Sequence, residues 1–148
     1  MVDVAQSPEI TDPNTAIVDE FRANDGRVGG YFEGRTMVLM HHVGRKSGKH
    51  YVSPALYLPA AGDERTIYVF ASKGGAPDNP AWYYNLVAAG EAEVEVATQR
   101  YPVTVRELIG DERDRVYAEQ ATRYSNFADY EEKTAGARVI PVLALTRK

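Results

Sequence analysis

Cysteine is absent from the 148 residues. Disulfides, thiol nucleophiles and thiolate metal sites are therefore excluded, and a reducing compartment is compatible with the chain. No run of about 18 apolar residues occurs, so no helix is expected to span a membrane. The first eleven residues lack an apolar h-region and carry Asp3 and Glu9, unlike a secretory signal. Positive charge is in deficit: 17 Lys and Arg stand against 21 Asp and Glu, a formal net charge of −4. General nucleic-acid binders carry a basic excess, so that class is disfavoured. Histidine occurs three times. His41 and His42 are adjacent in a strand and face opposite sides, and His50 adds no ligand spacing, so no metal site is expected. No G-x-S-x-G elbow occurs, so a serine-hydrolase triad has no support.

What is present is ordinary globular composition, 44% hydrophobic and 26% charged. One domain is expected over residues 14–148, preceded by a flexible tail at 1–13 that Pro8 and Pro13 interrupt. Asn14 or Thr15 can cap a short helix through Arg22. Thr36 to Val43, which contains the apolar run Met37 to Met40, reads as a strand buried on both faces. Strands follow over Tyr51–Leu58, with Pro54 at an edge or bulge, and Thr66–Ala71. Asn79-Pro80 reads as N-cap plus first-turn proline of a helix that Gly90 ends. Glu91–Ala97 alternates as a strand with one wet face, Thr98 to Arg100 turns, and Val103–Leu108 returns. Asp111 caps a further helix, a shorter one spans Asn126–Thr134, and Val139–Leu145 is the last strand. Six strands with hairpin-length links give an α+β class, a mainly antiparallel barrel with peripheral helices.

Four segments could carry chemistry. Arg45, Lys46 and Lys49, in a turn with Ser47 between Gly44 and Gly48, concentrate positive charge on an acidic chain. Such a turn suits a phosphate or carboxylate, and it also suits a solvated hairpin. Ala71-Ser72-Lys73-Gly74-Gly75 offers a hydroxyl, a cation and pliant backbone at a strand end, or simply a turn. Asn79 to Leu86 can place Trp82 against a flat ring or pack it in the core. Tyr124, Phe127 and Tyr130 share one side of a helical stretch, as an aromatic wall or as core caps.

In this order the segments resemble the deazaflavin-dependent nitroreductase family, the coenzyme F420-dependent quinone and nitro reductases of the split β-barrel, flavin-reductase-like fold. The similarity runs on through Arg106-Glu107-Leu108, Asp111 to Arg115 and Ile140-Pro141-Val142. The resemblance implies hydride transfer from reduced F420 to a quinone or nitro acceptor, with FMN as the alternative cofactor and a non-catalytic binder as the alternative class. It implies that Arg45, Lys46, Ser47, Gly48 and Lys49 hold the cofactor's phosphate and acidic tail. Pro54, Ala71, Ser72, Lys73, Gly74, Gly75, Asn79 and Trp82 would surround its ring system. Tyr124, Phe127 and Tyr130 would line the acceptor side, with Ser72 and Tyr130 as catalytic candidates. Phe127 stands where the family often has tyrosine, which weighs against nitroimidazole-type activity more than against quinone reduction. Tyr51 stands where some members have arginine. The expected location is the cytoplasm, with peripheral contact at the inner membrane face where the acceptor is a lipid quinone. Whether the chain pairs with itself is left open.

Overall fold

The computed structural model describes residues 9–10 and 14–148. Six strands close on themselves: β2 (Met37–Val43), β3 (His50–Pro59), β4 (Thr66–Phe70), β5 (Glu91–Val96), β6 (Gln99–Leu108) and β7 (Val142–Arg147). Around the barrel the order is β2, β5, β6, β7, β4, β3, and β3 returns to β2; all six pairings are antiparallel. A two-residue strand, β1 (Glu9–Ile10), adds in parallel to His50 and Tyr51. Part of the expected tail is thus paired; residues 1–8 and 11–13 lie outside the described residues. Four helices cover the barrel: α1 (Thr15–Ala23), α2 (Ala81–Ala89), α3 (Gly110–Arg123) and α4 (Asn126–Thr134).

The apolar pattern explains the layers. β2 is buried on both faces. Val38 and Met40 join the cluster that includes Val69, Leu86, Val94 and Leu143. Met37 and Leu39 point the other way and pack with Val18 and Phe21 of α1. A further cluster, with Phe70, Leu108, Val116, Tyr117, Phe127 and Ile140, seats α3 and α4 on the barrel. Tyr117 donates a hydrogen bond to the Phe127 carbonyl at 2.6 Å, and Arg113 donates to the Ile140 carbonyl at 3.0 and 3.1 Å. These bonds fix α4 against α3 and the lead-in to β7.

Four local expectations change. Pro80 is the N-cap of α2 rather than its first helical residue, and Asn79 makes no cap bond. Asp111 lies inside the first turn of α3, where its charge suits the helix dipole, and Ile109 is the N-cap. β6 starts at Gln99, because Ala97 adopts φ 52° and closes a two-residue turn with Thr98. β7 begins at Val142, three residues later than expected.

Buried polar groups tie α1 to the barrel. Glu95 accepts from Arg22 at 2.8 Å and from His41 Nε2 at 2.6 Å, and His41 Nδ1 lies 2.9 Å from His50 Nε2. Burial pushes the Glu95 carboxyl up, but the bonds and charges of His41 and Arg22 outweigh it and hold the group down at about 2. Gln120 differs: it is fully buried and its amide has no hydrogen-bond partner among the described residues. An unpaired buried amide is costly, so Gln120→Met, close in shape and apolar, is expected to raise the unfolding free energy by about 1–2 kcal/mol. Denaturant melts at pH 7 check this; a loss of stability would mean that the amide is satisfied in solution.

Candidate functional site

Along β3, residues 52–56 have no second strand partner among the described residues: the pairing with β1 stops at Tyr51 and the pairing with β4 begins at Tyr57. Pro54, which has no N–H to give, sits in this gap. A cleft of about 260 Å³ opens here. Pro54, Ala55, Leu56 and Trp82 line one side, Asn126, Phe127 and Tyr130 of α4 another, and Ser72, Lys73 and Gly74 the base, with Phe32 and Phe70.

The base is a strained turn. Lys73, Gly74 and Gly75 take φ values of 47°, 62° and 82°. A lysine in the left-handed region costs about 1 kcal/mol or more and marks a shape imposed by its surroundings. An added Cβ on Gly74 would meet nothing within 4 Å, so the backbone there faces open space. On Gly75 it would lie 3.2–3.3 Å from Lys133 and Tyr130, so glycine lets this turn press against α4. The Ser72 hydroxyl has no hydrogen-bond partner among the described residues. The Lys73 ammonium donates to Asp78 at 2.8 Å on the surface, and that bond with its charge holds the Asp78 carboxyl below its usual range.

The aromatic wall is both core and lining. Phe127 is 4% exposed, and its ring contacts Phe70, Tyr117, Tyr124 and Tyr130 at centroid distances of 5.4–6.4 Å. Its edge still reaches the cleft. Asn126 Nδ2 donates to the Tyr130 hydroxyl at 3.0 Å. Tyr124 does not line the cleft; it packs against Phe127 and carries the Arg35 guanidinium 4.9 Å over its ring.

The basic turn joins β2 to β3 outside the cleft, and α2, which brings Trp82 to the cleft, also holds this turn. Arg45 N–H donates to Asn85 Oδ1 at 3.0 Å. Asn85 Nδ2 donates to His42 Nδ1 at 3.0 Å, which leaves His42 Nε2–H to donate to Ser53 Oγ at 2.9 Å. Asn85 follows Trp82 by three residues, so α2 places the indole at the cleft and the amide under the turn. The Arg45 guanidinium lies 5.0 Å over the Tyr84 ring. Arg45, Lys46 and Lys49 have no carboxylate partner among the described residues.

Sequence reasoning brought Pro54, Ser72, Lys73, Gly74, Trp82, Phe127 and Tyr130 together, and the fold does the same. Ala71 is buried behind the turn, and Asn79 is held away from the cleft by Arg138 and Tyr84. Phe32, Leu56, Phe70 and Asn126 went unnoticed; only their position in the folded barrel selects them. His41 and His42 do face opposite sides, as strand alternation required.

A family model described as F420H2-dependent quinone reductase matches residues 15–147. The chain belongs to this family. As a member of the F420H2-dependent quinone reductases it is an oxidoreductase with coenzyme F420 as hydride donor and a quinone as acceptor. The F420H2-dependent quinone reductase Rv1261c of Mycobacterium tuberculosis is 33% identical over 135 residues, 86% of this chain and 85% of that protein. The solved F420-H2 dependent reductase FDR-A superposes with a TM-score of 0.63 at 34% identity, covering 74% of this chain and 92% of the other. A solved domain-swapped dimer gives 0.65 at 32% identity, covering 88% and 92%. FMN, the other cofactor considered, finds no support among these relatives. Among the described residues, no helix is long and apolar enough to cross a membrane.

Proposed function

We propose that hydride transfer takes place in the cleft between the Ser72–Gly74 turn and α4, and that the Arg45–Lys49 turn holds the anionic end of the cofactor. One observation supports this above the others. A slot with an aromatic wall and a pliant polar base is lined by Trp82 of α2, and Asn85 of the same helix holds the β2–β3 turn, whose three cations have no carboxylate partner among the described residues. A flat ring system fits the slot, and a phosphate with an acidic tail fits the turn.

Bound in its reduced form, coenzyme F420 supplies the hydride. Trp82, Pro54 and the open backbone at Gly74 orient a ring against the base of the cleft. The Ser72 hydroxyl donates a hydrogen bond to the acceptor oxygen as negative charge grows on it. Tyr130, held by Asn126 on the opposite wall, supplies the proton that completes the quinol, and its own proton is restored from solvent. The apolar faces of Leu56, Phe70 and Phe127 exclude water from this space. Phe127 has no hydroxyl to offer an acceptor, which favours quinones over nitroimidazoles. A lipid quinone would bring the cleft mouth to a membrane surface.

The test concerns the basic turn. With Arg45, Lys46 and Lys49 all changed to glutamine, F420 affinity is expected to fall about 10–100-fold, since each exposed charge contact is worth about 0.5–1 kcal/mol. Fluorescence titration across a salt series should show a shallower salt dependence in the variant. Equal affinity and equal salt dependence would return the turn to an ordinary solvated hairpin.

A further inference from the structure

Arg138 is joined to the end of α4: its N–H donates to the Thr134 carbonyl at 3.0 Å. Its guanidinium reaches across to the turn at the base of the cleft. Nε donates to the Ala76 carbonyl at 3.0 Å, Nη2 to the Ser72 carbonyl at 2.8 Å, and Nη1 to the Ala71 carbonyl at 2.9 Å and Asn79 Oδ1 at 2.8 Å. All four acceptors lie within residues 71–79, the segment that carries three successive positive φ values. Among the described residues no carboxylate is within hydrogen-bond distance of this guanidinium; Asp78 acts on it through its charge. The cation is therefore spent on backbone carbonyls and one amide. Gly75, meanwhile, brings the turn into close contact with Tyr130 and Lys133 of α4.

We propose that Arg138 is a positioning residue that clamps the Ser72–Gly74 turn to α4 and so sets the width of the cleft. This rests on the reading of that cleft as the place where cofactor and quinone meet. The two walls come from distant parts of the chain, and the Arg138 fork spans from one to the other. A turn with lysine in the left-handed region persists only when its surroundings over-determine it. The planar fork meets four acceptors at fixed angles, which a lysine ammonium cannot do. Arg138 also explains Asn79: its amide carbonyl serves the clamp, while its Nδ2 donates to Tyr84 at 3.2 Å.

Arg138→Lys keeps the charge and most of the volume. In the ligand-free protein, backbone amides of residues 73–76 are expected to exchange with solvent at least tenfold faster in this variant, with α1 and the barrel strands unchanged. F420 affinity should fall about tenfold, and kcat with menadione should fall further, while the KM for menadione changes less. Arg113→Lys, which loses bonds to the Ile140 carbonyl and none to the turn, serves as the comparison at matched loss of Tm; a purely structural role for Arg138 predicts the same kinetic loss in both. If Arg138→Lys does not fold, Asn79→Ala removes one of the four acceptors and should shift exchange and affinity in the same direction by a smaller factor. Unchanged exchange at 73–76 overturns the clamp. Faster exchange with F420 affinity and kcat within twofold of wild type overturns its importance for the reaction. Failure of the wild-type protein itself to bind F420 would overturn the reading of the cleft instead, while the ligand-free exchange still decides whether Arg138 holds the turn.

Discussion

Ser72→Ala lowers kcat for quinone reduction about 100-fold and leaves F420 affinity within about twofold. The hydroxyl lines the cleft and has no partner among the described residues, so it is available to an acceptor oxygen. Its backbone is held on one side by the bond from Ser72 N–H to the Phe70 carbonyl and on the other by Arg138. A donor fixed in this way meets developing negative charge without reorganisation, and losing one such donor costs about 3 kcal/mol of barrier. The ground state loses little, so the effect belongs in kcat and not in cofactor affinity. Tyr130→Phe is the matched comparison, with a smaller expected loss because solvent can replace a proton donor more readily than an oriented dipole. Steady-state kinetics with menadione, together with an F420 titration, separate the two quantities. Turnover by Ser72→Ala within threefold of wild type removes Ser72 from the chemistry.

The second large effect is on stability. Between pH 7 and pH 5 the protein loses about 2 kcal/mol of unfolding free energy, and most of it traces to His42. Burial, and then the charges of His50 and His41, push the His42 imidazole down from 6.5 to about 4. The folded chain keeps this ring neutral, because its Nδ1 accepts from Asn85 and has no room for a proton. The unfolded chain protonates it from about pH 6.5 downward. A lowered folded value means that the contribution is complete above about 6.5 and is lost as the pH falls toward 4, where it has reached about 3 kcal/mol. Glu95 adds a second decline at lower pH: its carboxyl, held down at about 2, loses its contribution as the pH falls from about 4.5 toward 2. Urea melts at pH 7, 6 and 5 measure the first window. His42→Gln is expected to be less stable at pH 7 and nearly flat across it. A wild-type curve that is already flat from pH 7 to 5 contradicts the assignment. Because the same hydrogen bonds run on to Arg45, the His42→Gln protein should also hold its basic turn less firmly and bind F420 less tightly.

Patterns that report local chemistry were readable from the chain. Four apolar residues in a row at Met37–Met40 required a strand covered on both faces, and α1 and the barrel interior supply the two covers. The glycines around Arg45–Lys49 required a tight turn, and Val43 pairs with His50 across it. The choice between wall and core for Phe127 could not be made from spacing, because the residue does both. Most of the misreadings have a common cause. Asn79 beside Pro80 looks like a helix cap, but an arginine 59 residues away takes its side-chain oxygen. Ala97 in the left-handed region gives no compositional sign of a two-residue turn, so β6 appeared to start late. His50 joins His41 only once the hairpin register is known. Arg138 left no trace because its partners are mostly backbone carbonyls, which any residue carries. Long-range polar contacts of this kind are set by the fold and not by neighbouring residues.

The most direct measurement of the central claim is a single-turnover experiment. Protein loaded with reduced F420 is mixed with menadione, and the return of the oxidised deazaflavin absorbance is followed, with reduced FMN in a parallel series. The proposed site predicts tight F420 binding, prompt reoxidation that depends on protein, and a clear slowing in Ser72→Ala. Equal or better turnover with FMN, or binding of F420 with no reoxidation above the protein-free rate, would contradict it.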